Sequence, residues 1–325
     1  MTLPRRNKRR FTLLLLLLCI LLNVAVTRSQ VNRRAAIDHL NRGIKELDEG
    51  DLDGALADFS RAIELDSNYF APYFNRGLVR RRQADYDGAI SDFTKVIELN
   101  PIAEAYLDRG AARKDKGDRD GAIADYTKAI ELNDKYADAY YNRGIALDDK
   151  GEHDRAISDF TRSIELSPQQ ARAFVGRGYA RMHKGDPDGA LTDYTRAIEL
   201  NPRSFLAFYN RAFARKQKRD LDGAIADFTK ALEIDDKDAD AFYERGILRG
   251  ARGDLAGAIS DFGKTIELNP QNAQAHANRG IILLLQGRDA AAQQEFETAL
   301  KMNSTLNPGL QNLINQIVKA RQSKP

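Results

Sequence analysis

A chain of 325 residues, 42% apolar and 30% charged with the two signs nearly balanced, can fold into a large body and is no disordered polyelectrolyte. Its formal charge of +3 hides an asymmetry: residues 1–30 hold Arg5, Arg6, Lys8, Arg9, Arg10 and Arg28 and no acidic residue, so removing those six leaves −3 for the rest. A mildly acidic body argues against nucleic acid as a partner, and the sole cysteine, Cys19, leaves the body without disulfides or thiol chemistry.

The first element is an address or an anchor. A basic head precedes an apolar run from Phe11 to Val26, interrupted by Thr12 and Asn23, with small residues at Ala25, Thr27 and Ser29. That order is the order of a secretory signal. The run is longer than many signal cores and shorter than the ~20 residues that span a bilayer unaided, so both a cleaved signal peptide and a retained N-terminal membrane anchor over 1–30 stay open. Either way the basic head stays on the cytoplasmic side and the body is expected to be exported, into a periplasmic or extracellular space. Any membrane contact would then come only through this segment.

From residue 36 onward one phrase repeats. A glycine recurs at Gly43, Gly77, Gly110, Gly144, Gly178, Gly246 and Gly280, with Ala212 once in its place, in steps of 34 residues except for one of 33. Twelve residues after each comes an alanine (Ala55, Ala89, Ala122, Ala156, Ala190, Ala224, Ala258, Ala292). Four residues further comes an aromatic: Phe59, Phe93, Tyr126, Phe160, Tyr194, Phe228, Phe262 or Phe296. Such a period marks stacked supersecondary units. Each unit reads as two helices. In the fourth, Ala139, Tyr140, Gly144, Ile145 and Leu147 share a face, Gly151 suits a left-handed helix end, and Glu152 and Asp154 sit where a helix start favours negative charge. Ala156, Ile157, Phe160, Ile164 and Leu166 form the second stripe, which Pro168 ends.

The pattern of aromatic, glycine, second-helix alanine, aromatic and closing proline resembles the tetratricopeptide repeat. It covers residues 36–306 as eight tandem repeats with approximate starts at 36, 70, 103, 137, 171, 205, 239 and 273. Three departures stand out. The leading tryptophan is Tyr73, Tyr106, Tyr140, Phe174, Phe208 or Phe242, and His39 and His276 in the end repeats. The residue before the glycine is always arginine, and the closing proline appears only at Pro101, Pro168, Pro202 and Pro270. The resemblance implies an all-α fold, a right-handed superhelical solenoid of eight helix-turn-helix units. Residues 307–325 form a C-terminal capping helix and tail, with Leu310, Leu313, Ile314 and Ile317 as its apolar stripe. A partner-binding tail is the alternative for that last segment.

Arg42, Arg76, Arg109, Arg143, Arg177, Arg211, Arg245 and Arg279 occupy one position of every repeat. A carboxylate holds one second-helix position: Asp58, Asp92, Asp125, Asp159, Asp193, Asp227, Asp261 and Glu295. Their symmetric placement about the turn predicts a structural ion-pair ladder, within or between repeats, each exposed rung contributing ~0.2–1 kcal/mol; an anion site is the rival reading.

No chemistry of catalysis is expected. The four histidines (His39, His153, His183, His276) lack metal-ligand spacing, no phosphate-cradling glycine loop is left over from the repeat, and the carboxylates fall into the repeat pattern. The reading is therefore no enzyme, no cofactor and no metal. By resemblance the first helices line a concave groove. There Asn41, Asn75, Asn142, Asn210 and Asn278 precede the arginine, replaced by Asp108, Gly176 and Glu244 in the other repeats. Phe74, Tyr141, Tyr209 and Tyr243 come one residue earlier, and amides with aromatic shelves suit a protein or extended peptide segment. Packing between repeats is the plainer reading of those rings. Arg81 and Arg82 suggest an acidic ligand near the second repeat, or a solvated surface. Two other roles compete with a peptide-binding scaffold: a structural adaptor or homo-oligomer joined through repeat edges, and an accessory subunit of an envelope enzyme.

Overall fold

The computed structural model describes residues 30–322, so the expected signal or anchor segment lies outside the described residues but for Gln30. Among the described residues there are helices and turns and no strand, and no helix is long and apolar enough to cross a membrane. The chain forms two compact bodies, divided after Lys150. The N-terminal body runs α1 (30–49), α2 (Leu52–Leu65), α3 (Phe70–Arg82), α4 (Tyr86–Leu99), α5 (Ala103–Lys116), α6 (Arg119–Leu132) and α7 (Ala137–Asp148). The C-terminal body runs α8 (His153–Leu166), α9 (Ala171–His183), α10 (Pro187–Leu200), α11 (Phe205–Gln217), α12 (Leu221–Ile234), α13 (Ala239–Ala251), α14 (Leu255–Leu268), α15 (Ala273–Leu285) and α16 (Asp289–Met302). A 3-10 turn, Ser304–Leu306, then leads into α17 (Asn307–Gln322).

Local chemistry sets the helix ends. Asp51, Asp85, Asp118, Asp186, Asp220 and Asp254 cap the second helices, each carboxylate accepting from the amide of a glycine three residues on. The turn before each cap needs a left-handed residue; glycine supplies it at Gly117, whereas Ala84 (φ 62) and Arg219 (φ 61) adopt it with a side chain.

The core of each hairpin is small-against-large packing. The second-helix aromatic is fully buried at Phe59, Phe93, Tyr126 and Phe228, and at the first three of these the ring edge abuts the first-helix glycine. At Gly43, Gly110 and Gly178 an added Cβ would come within 2.7 Å of a ring carbon, so close approach fixes the glycine. In α17, Leu310 and Ile317 are buried against Leu283, Leu284 and Phe296, and Ile314 packs beside them. Leu313, expected in the same stripe, is instead 38% exposed, because it faces the cleft toward α15 rather than the last hairpin's core.

Two sets of polar ties join neighbouring hairpins. From the second repeat to the seventh the guanidinium reaches back to a hydroxyl on the preceding second helix: Arg76 to Ser60 (3.0 Å), and Arg109 to Thr94, Arg143 to Thr127, Arg177 to Thr161, Arg211 to Thr195 and Arg245 to Thr229 (3.1 Å each). Several of those hydroxyls donate in turn to their own helix, as Thr94 does to the Ile90 carbonyl at 2.7 Å and Thr229 to that of Ile225 at 2.8 Å. At the outer edge Lys116 meets Asp87 and Lys150 meets Asp120, both at 2.5 Å, Lys184 meets Asp154, Lys218 meets Asp188, and Arg252 meets Asp222 at 2.7 Å.

Both ties lapse between α13–α14 and α15–α16. Gly263 stands where the hydroxyl would be, and Ala256 and Gln286 stand where the outer pair would form. A Cβ on Gly263 would sit 3.7 Å from Arg279 Nη1, close enough for a hydroxyl on it to accept the missing bond. Gly263→Thr is expected to stabilise the C-terminal body by about 1 kcal/mol, combining helix propensity with one charge-assisted hydrogen bond. Thermal denaturation should show a higher midpoint, and a lower one would contradict this account of the junction.

Candidate functional site

The arginine and the carboxylate sixteen residues on meet inside their own hairpin. Arg76 Nη2 and Nε donate to Asp92 at 2.7 and 2.9 Å, Arg109 to Asp125 at 2.7 and 3.0 Å, Arg177 to Asp193 at 2.7 and 3.0 Å, Arg211 to Asp227 at 2.8 and 2.9 Å, and Arg245 to Asp261 at 2.7 and 2.9 Å. Arg42 grips Asp58 with the same two nitrogens, and Arg279 Nη2 reaches Glu295 at 2.5 Å. Asp159 is also buried. These carboxylates are interior groups: Asp92, Asp125, Asp227 and Asp261 are 2% exposed. The surface value of ~0.2–1 kcal/mol per rung therefore does not apply to them, because a desolvated charge depends on its partners far more than a hydrated one does.

Sequence reasoning missed the second cation. Arg80, Arg113, Arg181, Arg215 and Arg249, one turn after the invariant arginine, place Nη1 2.7–2.9 Å from Oδ2 of the same aspartate, the oxygen that also accepts from the invariant arginine's Nε. In Arg80, Arg113, Arg181 and Arg215 the same Nη1 also donates to a backbone carbonyl of the second helix, as Arg215 does to Gly223 at 3.0 Å. The signal was in the sequence at the same period, blurred because Glu46, Leu147 and Leu283 replace it in three repeats. The invariant arginine further lies over the leading aromatic of its own helix, 5.5–5.7 Å from the ring centroids of Tyr73, Tyr106, Tyr140, Phe174, Phe208 and Phe242. In the end repeats the histidine replaces that ring with a hydrogen bond, His39 Nδ1 to Asp58 at 2.9 Å and His276 Nδ1 to Glu295 at 2.7 Å. The Arg42 hydrogen bonds, helped by His39 and opposed by burial, hold Asp58 down at about 2. Burial first, then the Asp58 charge, push Glu46 upward, and its Oε2 has no hydrogen-bond partner.

With its donors on aspartate and threonine, the arginine position offers little to an outside anion; what remains for a ligand is the first-helix face. Phe74, Tyr141, Tyr209 and Tyr243 are all half-buried there. Phe74 meets Phe93 edge-on at 5.7 Å, Tyr209 meets Phe228 at 5.6 Å, and Tyr243 lies 5.9 Å from Phe262. On α11, Phe205, Tyr209 and Phe213 form a continuous shelf with centroids 5.4 and 5.1 Å apart, capped by Lys216 Nζ 5.5 Å over the Phe213 ring. Burial, reinforced by Asp238, Asp240 and Glu244, pushes the Tyr209 phenol up to about 12.

The asparagines divide. Asn75 Nδ2 donates to the Ala71 carbonyl of its own helix at 3.0 Å, and Asn278 Nδ2 donates to the Tyr243 hydroxyl at 3.1 Å. Asn142 and Asn210 are half-buried and Asn41 is exposed. Arg81 Nε binds Asp115 at 2.8 Å, so its charge is already neutralised, while Arg82 is exposed and makes no ion pair among the described residues. First helices also carry exposed apolar residues not singled out from the sequence: Ile44 on α1 in the N-terminal body, and Tyr179 on α9, Leu206 (59% exposed) on α11 and Leu285 on α15 in the C-terminal body. Gly250 and Ala251 open a cleft of roughly 450 Å3 lined by Ile247, Ile281, Ile282 and Leu285. Among the described residues no group of three or more His, Cys, Asp or Glu is placed to hold a metal ion.

Comparison with known proteins gives a consistent picture. Models described as tetratricopeptide repeat or TPR repeat match residues 43–84, 71–102, 107–171, 171–204, 206–238 and 243–307. Among curated proteins none matches the chain. Among solved structures, the chain is similar to a tetratricopeptide repeat protein from Parabacteroides merdae, at 20% identity over 77% of this chain and 99% of that one, with a TM-score of 0.59. A TPR protein fragment from Cytophaga hutchinsonii matches at 19% identity over 74% and 98%, also with a TM-score of 0.59. The protein MamA is 30% identical over 52% of this chain and 93% of its own, with a TM-score of 0.48. The first two are likenesses of fold.

Proposed function

Since the chain belongs to the tetratricopeptide repeat family, we propose that it is a non-catalytic scaffold that holds an extended segment of a partner protein along its first-helix face. The observation that carries this reading is the aromatic shelf of α11. Phe205, Tyr209 and Phe213 form one continuous surface, Leu206 adds exposed apolar area on the same helix, and Tyr179 adds more on α9, the first helix before it. Rigid aromatic groups of this kind are the usual energetic centres of protein recognition, because they bury large area at little cost in side-chain entropy.

The test is quantitative capture. Tyr209→Ala and Tyr243→Ala, each checked for an unchanged helical spectrum, should weaken retention of a co-purifying partner by roughly 2 kcal/mol, or about thirtyfold in affinity. Retention equal to that of the unaltered chain would remove the shelf from the binding surface. The proposal extends to location: the basic head and apolar run of residues 1–30 direct the body out of the cytoplasm, released or tethered. Fractionation with protease protection, followed by N-terminal sequencing of the mature chain, distinguishes export from cytoplasmic residence and cleavage from retention.

A further inference from the structure

A first helix meets the hairpin before it along one stripe, and in α1 that stripe is open. In later repeats it is apolar and covered. Ala139 packs with Ala129 of the preceding second helix, and Ala207 with Ala197. Two turns further along the first helix, Val79 packs with Phe59 and Ala214 with Tyr194. Asp38 and Lys45 hold those two positions in α1, and both are exposed. The invariant arginine differs as well. Arg76, Arg109, Arg177, Arg211 and Arg245 are 11–15% exposed, with Nη1 on a hydroxyl of the preceding second helix. Arg42 is 55% exposed, and its Nη1 has no partner among the described residues.

The open stripe is charged in a definite order. Arg34, Asp38, Asn41 with Arg42, Lys45 and Glu49 recur every three or four residues and so lie along one side of α1. All six are exposed. About a point between Asn41 and Arg42, Arg34 lies as far out as Glu49, and Asp38 as far out as Lys45. A second α1 laid antiparallel on the first therefore sets Arg34 on Glu49 and Asp38 on Lys45, each pair twice. At the centre, the Asn41 side-chain oxygen of one copy faces Arg42 of the other. It offers Nη1 the acceptor that a serine or threonine supplies inside the array. The parallel alignment would set Arg34 on Arg34 and Lys45 on Lys45, which like-charge repulsion opposes. A terminal repeat needs a polar outer face for solubility, but solubility imposes no order on the charges.

We propose that this stripe of α1 is a two-fold contact with a second copy of the chain, antiparallel and centred between Asn41 and Arg42. A two-fold contact uses the same patch on both chains, which is what the arrangement of opposite charges about that point satisfies. The contact goes beyond the scaffold reading and does not depend on it. Val31, 67% exposed, continues the stripe toward the start of α1 and adds apolar area at each end of the pair. Along the stripe Lys45 reaches Glu49 of its own helix at 3.5 Å, with both side chains largely exposed and able to turn outward. Because exposed charges make most of the contact, it is weak and yields to salt.

The experiment uses the full chain carrying Cys19→Ala and Asn41→Cys, joined by a short bismaleimide and read as the dimer band on a denaturing gel. The control is Ala124→Cys in the same Cys19→Ala background, at an exposed position of α6 outside the stripe. At about 0.1 M salt the Asn41→Cys band should exceed the control at least about fivefold, and at about 1 M most of the excess should be lost. Asp38→Lys sets like charges against Lys45 of the second copy and should abolish the excess. Lys45→Asp, set against Asp38, should do the same. The double variant Asp38→Lys, Lys45→Asp restores opposite charges and should recover the band. An unchanged melting midpoint shows that these surface substitutions leave the hairpin folded. No excess over the control overturns the contact, and is the result expected of a solvated end face or of one covered by residues 1–29 of the same chain. A band that survives Asp38→Lys, as association through residues outside α1 would give, overturns it too. So does a band that fails to return in the double variant.

Discussion

Asp227→Ala is expected to destabilise the C-terminal body by about 3–5 kcal/mol, the range for removing one member of a buried, hydrogen-bonded charge set. Asp227 accepts from Arg211 at 2.8 and 2.9 Å and lies 2.8 Å from Arg215 Nη1, while its side chain is 3% exposed. Alanine would leave two guanidinium groups facing an empty space of the wrong polarity. Arg211 would keep its bond to Thr195, and Arg215 its bond to the Gly223 carbonyl, but neither contact balances charge. Arg215→Leu is the informative companion, since Leu147 and Leu283 occupy that position naturally. It should cost much less, and combining it with Asp227→Ala should recover part of the loss. Urea denaturation of the single and double variants measures this; an Asp227→Ala cost under 1 kcal/mol would mean that the carboxylate is solvated after all.

Phe93→Ala should cost a similar ~3–5 kcal/mol for a different reason, the loss of buried area together with a cavity that rigid helices cannot close. The ring is fully buried among Ala89 and Ala112, with Phe74, Leu78 and Ile90 against it, and an added Cβ on Gly77 would lie only 2.9 Å from it. It therefore holds α3 to α4 and supplies the floor on which α5 rests through Ala112. Circular dichroism melting should report the loss, and Phe93→Leu should retain more than half of the stability. If alanine were tolerated within 1 kcal/mol, the aromatic would be a surface filler and the packing account of the hairpin would be wrong.

Much of this architecture was legible because repetition turns weak local signals into a strong one. The alternation of small and aromatic positions, Gly110 over Tyr126 or Gly178 over Tyr194, follows from sequence spacing alone. The arginine and aspartate sixteen residues apart could be predicted to share a level of the hairpin, but not to be buried. Depth depends on the leading aromatic that covers the guanidinium and on Arg80 or Arg215 closing the other side. The hydroxyl acceptors escaped notice since Thr94 or Thr195 reads as an ordinary surface residue until the next hairpin is in place. Asp108 was visible as a departure from asparagine, yet whether Arg81 turns to it or to Asp115 is a choice among three residues on two helices. No spacing rule encodes that choice.

The lapse at Gly263, Ala256 and Gln286 bears on how the C-terminal body comes apart. In a linear array each hairpin is held by its own stability plus the coupling to its neighbours, so unfolding proceeds from an end and halts at the strongest coupling it meets. With the polar coupling thinned here to Asn278 and Tyr243, α15, α16 and α17 become the first cooperative block to open, while the hairpins before them stay closed. Amide exchange in that block should outpace exchange in α11 to α14. Any partner that grips Ile247 and Ile281 at once would act as a staple across the weakest link of the row.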